Sequence, residues 1–148
     1  LPALATADYL AYAATFPDAY KTLQAAIDYL SKEKGARRIY VLGYSMGARM
    51  TTAFLAATDV PSVSGYIGVG VLEGGGDLLD ANLNIRKLKV PILDLYADST
   101  PLDLRSAENR KALVGPQYKQ VRLSGANHSF KGYESELSRE IVAWLKSQ

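Results

Sequence analysis

Short apolar runs and longer apolar stripes of helical period take turns along this chain. Tyr20, Leu23, Ile27 and Leu30, with Ala26 beside them, recur at helical spacing and predict a helix with one buried face. Phe16-Pro17-Asp18 marks its start, with proline at an early helical position and an acid in the first turn. Lys32, Lys34 and Gly35 supply a basic last turn and a stop. Ile39 to Leu42 is a β-branched and aromatic run bounded by charge and glycine, which predicts a buried strand. Ala48 to Ala57 reads as a helix, and Val63 to Leu72 as a second buried strand that runs towards Gly74-Gly75-Gly76, a flexible or closely packed loop. Leu78 to Leu88 is an amphipathic connection. Val90 to Ala97 is the third strand, with Pro91 tolerable at its start. A helix over about 101–113, a fourth strand from Tyr118 to Leu123 and a loop from Gly125 to Phe130 follow. Tyr133, Leu137, Ile141, Trp144 and Leu145 give the last helix a clear apolar stripe. Before all of these, the Ala- and Tyr-rich stretch Leu1 to Thr15, with Leu4, Tyr9 and Leu10, reads as a short helix.

Strands that alternate with helices through short links predict an α/β domain, a three-layer α/β/α arrangement with a mostly parallel sheet of about four strands. The 148 residues suffice for one domain with a real core. Hydrophobic content of 48% and charged content of 22% are ordinary for a soluble globular protein. The formal charge of +2 is spread along the chain, with no basic tract longer than Arg37-Arg38 or Arg86-Lys87. Neither nucleic acid nor an acidic membrane surface is implied as a partner. No apolar run approaches a membrane span. The chain has no cysteine, which excludes disulfides, thiolate metal sites and cysteine nucleophiles together, and suits a cytoplasm or a periplasm equally.

The most informative stretch is Gly43-Tyr44-Ser45-Met46-Gly47, a G-x-S-x-G pattern set between a strand and a helix. That context makes it a nucleophile elbow. A serine at the tip of such a turn sits in strained backbone, and Gly43 and Gly47 are expected to remove side chains that would collide with the adjoining elements. The helix that starts there presents amides without intrahelical partners, and the N–H of Met46 is placed to receive a developing oxyanion.

In a parallel sheet, functional groups gather at the carboxyl ends of the strands. Ser45 follows the first strand, Asp98 the third and His128, the one histidine, the fourth. A serine hydroxyl needs a base within hydrogen-bond reach, an imidazole can be that base, and a carboxylate fixes its tautomer. Asp98 and Asp103 both lie beyond the third strand. Thr100-Pro101-Leu102-Asp103 fits a capping box, which gives Asp103 a local task, so Asp98 is preferred as the acid and Asp103 is the alternative. Glu73, after the second strand, is a third and weaker candidate, and Asp94 lies inside a strand, where a triad role does not fit. A nucleotide-binding sheet would need a phosphate-cradling glycine pattern at the first turn, which is not there.

With these residues in view, the chain resembles the C-terminal half of an α/β-hydrolase of the serine esterase, lipase or thioesterase kind. Gly43 to Met50, Pro91 to Tyr96 and Gly125 to Phe130 resemble more narrowly a poorly characterised bacterial branch of that superfamily. The resemblance implies a Ser45 nucleophile, a His128 base and an acyl-enzyme intermediate on an ester or thioester substrate, with no metal or organic cofactor. Two positions depart from the family. Thr100 stands where the acid is common, so either the acid is expected to have moved to Asp98 or the triad is incomplete, and Tyr44 often corresponds to histidine. Relatives also carry strands before the nucleophile strand, one of whose loops supplies a second oxyanion donor. Without them Ile39 to Leu42 would be an open hydrophobic edge. The chain, which starts at Leu1 rather than methionine, is therefore expected to be a fragment, a processed product or an obligate homo-oligomer. The competing expectation is a hydrolase-like scaffold without catalysis, used for binding or assembly.

Overall fold

The computed structural model describes residues 8–148. Tyr9–Thr15 forms a 3-10 turn, and the part of the expected first helix around Leu4 lies outside the described residues. Helix α1, Phe16–Asp28, carries Pro17 and Asp18 in its first turn and buries Phe16 and Ile27. Burial of two such side chains contributes roughly 1.5–3 kcal/mol each. A wider π turn, Tyr29–Glu33, prolongs α1, and Gly35 at φ +63° then reverses the chain into β1, Ile39–Tyr44. Helix α2, Met46–Ala57, follows after the single residue Ser45.

Strand β2 spans Val63–Val69 and stops before the expected Leu72, because Gly70 at φ +59° turns the chain out of the sheet. The connection over 78–88 resolves into a short helix α3, Ala81–Ile85, whose N-cap Asp80 accepts from the amides of Asn82 and Leu83. Strand β3 is Ile92–Ala97, helix α4 Pro101–Arg110 with a 3-10 turn Lys111–Leu113, strand β4 Tyr118–Leu123 and helix α5 Glu134–Ser147.

The four strands pair in the order β1-β2-β3-β4, every pair parallel. That agrees with the parallel sheet read from the sequence. Residues of α1, α2 and α3 pack with Val41, Tyr66 and Ile92 on one face of the sheet. On the other face Ile67, Leu93, Leu95 and Leu123 meet Leu137, Ile141 and Trp144 of α5. The second layer is thin, for α5 is its one described helix. It reaches Tyr40, whose ring lies edge-on to Trp144, and goes no further along β1. Leu42 and Tyr44, on the same face of that strand, are 49% and 45% exposed. Strand β1 is also the end of the sheet, and a groove of about 490 Å³ runs beside it, lined among others by Leu23, Leu30, Leu42 and Met50. No described helix is long and apolar enough to cross a membrane.

Candidate active site

All four strands point the same way, so the segments that follow them meet at one rim. Ser45 occupies a sharp turn there at φ 52°, ψ −118°, outside the regions that L-residues favour, and its amide donates to the carbonyl of Val69 (3.0 Å). Such backbone costs about 1–3 kcal/mol and persists where its surroundings over-determine it. Gly43 shows how: a Cβ at that position would lie 2.7 Å from the Ala48 Cα and collide with the Thr51 hydroxyl. Gly47 differs from expectation. A Cβ there meets nothing within 4 Å, so the steric need rests on Gly43 alone. Met46, half-buried, opens α2 as anticipated.

His128 is held from four directions. Its Nε2 lies 2.8 Å from the Ser45 Oγ, and its Nδ1 lies 2.8 and 3.1 Å from the two carboxylate oxygens of Asp103. Its backbone amide donates to the Thr100 hydroxyl (2.9 Å), and its carbonyl accepts from the Tyr44 hydroxyl (3.0 Å). The Tyr44 ring also stacks on the imidazole, 5.8 Å between centroids at 26°. Gly70 leaves the room this needs, since a Cβ there would stand 3.1 Å from the imidazole Cε1. An ionised carboxylate only accepts, so Asp103 favours the tautomer with the proton on Nδ1. Nε2 is then the lone-pair nitrogen, and the Ser45 hydroxyl can donate to it.

The carboxylate beside His128 is therefore Asp103, the alternative acid, and not Asp98. Asp98 accepts instead from the Gly125 amide (2.7 Å) and lies 3.7 Å from the Arg122 guanidinium, a task that ties the end of β3 to the end of β4. The capping box read over 100–103 does not form. Thr100 caps no helix amide with its side chain and takes the His128 amide, which frees Asp103 to face the imidazole. Asp103 is 1% exposed and His128 30%. Glu73 lies apart from the imidazole, bound by Arg105 (2.8 Å), Asn82 (3.0 Å) and Asn109 (2.8 Å). Asp94 faces Arg110, both fully buried, which explains a charge inside a strand.

Two residues were missed from sequence: Thr100, seen as a lost acid, and Tyr44, seen as a tolerated variant, both hold the His128 backbone. Their signal was position alone, since each lies within three residues of a candidate group. Among the described residues no three His, Asp or Glu side chains are grouped to hold a metal ion.

Comparison with solved structures shows the fold. An α/β serine hydrolase homologue from Coxiella burnetii superposes with a TM-score of 0.64 at 20% identity, over 85% of this chain and 58% of that one. A monoacylglycerol lipase from Paleococcus ferrophilus gives 0.66 at 14% identity, over 89% and 75% of the two chains. A thioesterase domain from the curacin biosynthetic pathway gives 0.56 at 17% identity, over 83% and 72%. The fold is α/β-hydrolase-like, and the chain spans little more than half the length of the Coxiella homologue. Residues 11–147 match the family described as a protein of unknown function, DUF3530, and the chain belongs to it. No curated protein matches the chain.

Proposed function

We propose that the chain carries the reaction centre of a serine hydrolase acting on an ester or thioester. The observation that supports this best is the unbroken line from Ser45 Oγ through His128 to Asp103, with both contacts at 2.8 Å. In the first half-reaction Oγ bonds to the substrate carbonyl carbon while its proton passes to Nε2. The carbonyl oxygen gains the negative charge and meets the Met46 amide at the start of α2. The bond from carbonyl carbon to the leaving oxygen or sulfur then breaks, and Nε2–H protonates the leaving group. Water reverses the sequence: it gives a proton to Nε2, attacks the acyl carbon and returns Ser45 to its hydroxyl form. Asp103 keeps Nδ1 protonated and balances the imidazolium.

A fluorophosphonate tests the reading, because its phosphorus is attacked by an activated serine and by little else. Intact-mass spectrometry is expected to show one adduct per chain and none in Ser45→Ala. A folded chain that gains no adduct would favour the second reading, a hydrolase-like scaffold that binds or assembles. That alternative draws support from the exposed Leu42 and Tyr44 beside the reaction centre.

The same exposed strand extends the proposal. In the working protein the outer edge of β1 is covered by a further strand, from polypeptide outside these 148 residues or from a second copy. Sedimentation separates the two. A dimer that Leu42→Lys splits assigns the edge to a second copy, and a monomer rules that occupant out.

A further inference from the structure

Helix α4 turns an unusual face inward. Its buried residues are Asp103, Ser106, Ala107 and Arg110, one stripe at helical spacing in which only the alanine is apolar. An amphipathic helix normally seats itself with an apolar stripe. Here directional bonds do that work. The Ser106 hydroxyl accepts from the Glu73 amide (3.1 Å), the Ser106 carbonyl from Asn82 (3.1 Å) and the Ala107 carbonyl from Gln120 (2.9 Å). Arg110 closes the stripe. Its Nε and Nη2 donate to the two oxygens of Asp94 (3.0 Å each), and its Nη1 donates to the Val71 carbonyl (3.0 Å) and the Asn82 side chain (2.6 Å). Asp94 is fixed in turn by the Tyr118 hydroxyl (2.6 Å) and Gln120 (3.0 Å).

We propose that Arg110, Asp94 and Ser106 are positioning residues that set the rotation and height of α4, and through them the place of the Asp103 carboxylate on His128. The inference rests on the reading of Asp103 as the group that orients the imidazole. Asp103 and Arg110 are seven residues apart, so they share a face about 10.5 Å apart along the axis. The Arg110 guanidinium is planar and its bonds to Asp94 are bidentate, which fixes an orientation as well as a distance. The groups it binds come from β3, β4, α3 and the segment after β2, so α4 is referenced to four parts of the fold at once. A buried ion pair is weak evidence for stability, since apolar residues of equal volume often serve as well. The pair is better understood by what it aligns. An acid carried on the first turn of a helix is only as well placed as the helix, and a slip of 1 Å there would spoil contacts of 2.8 and 3.1 Å.

The test uses the single histidine, which yields one set of imidazole signals in long-range 1H–15N spectra of the chain without a histidine tag. The wild type is expected to show the tautomer protonated on Nδ1. Arg110→Lys keeps the charge and loses the fork, and Ser106→Ala removes one acceptor. Both are expected to give a mixture of tautomers and to slow fluorophosphonate labelling about 10- to 100-fold, the scale of a 1 Å misplacement, while circular dichroism reports a folded chain. If Arg110→Lys does not fold, Ser106→Ala decides. Folded variants with the wild-type tautomer and a labelling rate within twofold of wild type would overturn the proposal. A wild type that labels poorly yet shows the Nδ1 tautomer would count against hydrolysis alone, and loss of that tautomer in the variants would still support the positioning role. A wild type without that tautomer would overturn both.

Discussion

Asparagine at position 103 is expected to lower the rate of acylation at Ser45 about 10⁴-fold, the scale of loss that follows when an imidazole is held in the wrong tautomer. Asp103→Asn keeps the shape of the side chain and replaces one accepting oxygen with a donating amide. Facing Nδ1, that amide favours the tautomer protonated on Nε2, which can no longer accept the Ser45 proton. Asp98→Asn is the control. Its remaining oxygen still accepts from the Gly125 amide, and the rate is expected to stay within a few-fold of wild type. The time course of fluorophosphonate labelling, followed by intact mass, checks both. A large loss in Asp98→Asn with little change in Asp103→Asn would reverse the assignment of the acid.

Asp94→Ala has the largest expected effect on stability, a loss of about 3–5 kcal/mol. Arg110 is fully buried, and with Asp94 gone its charge has only the Val71 carbonyl, the Asn82 side chain and the Tyr118 hydroxyl for company. Burial, the largest single influence, lowers the Arg110 pKa, but the charges and hydrogen bonds of Asp94 and Tyr118 together hold the guanidinium above its ordinary range. A guanidinium keeps its proton in proteins, so with Asp94 removed the charge stays buried and unpaired, and the cost falls on folding. Urea unfolding monitored at Trp144 checks the figure. A midpoint equal to wild type would mean that water reaches the guanidinium.

The layout of the sheet could be read from the sequence because it depends on local pattern. Apolar runs of strand length alternating with helical stripes leave little besides a parallel sheet, and the rim then collects Ser45, the acids and His128 in chain order. The elbow was legible for the same reason: strand, turn and helix follow one another without a gap. The choice of acid was not legible, because it turns on the rotation of α4. Leu102 and Leu104 are the large apolar residues of that helix, yet its buried stripe is Asp-Ser-Ala-Arg. A polar inner face has no signature in hydrophobic periodicity, so Asp103 looked like a cap and Asp94 like an anomaly. Each is explained by a partner more than ten residues away. Tyr44 and Thr100 escaped for a related reason, since what they hold is the backbone of a residue 84 and 28 positions distant.

Strand β4 is the last to join the sheet in chain order, its one neighbour among the described strands is β3, and it delivers His128 to a serine made 83 residues earlier. On a ribosome, Ser45 thus emerges long before the imidazole that the proposed reaction needs. On that reading a nascent or misassembled chain would carry an ordinary serine, inert towards the esters around it. Reactivity would begin when the topology closes, and a covalent tag on Ser45 would mark those molecules that have finished folding.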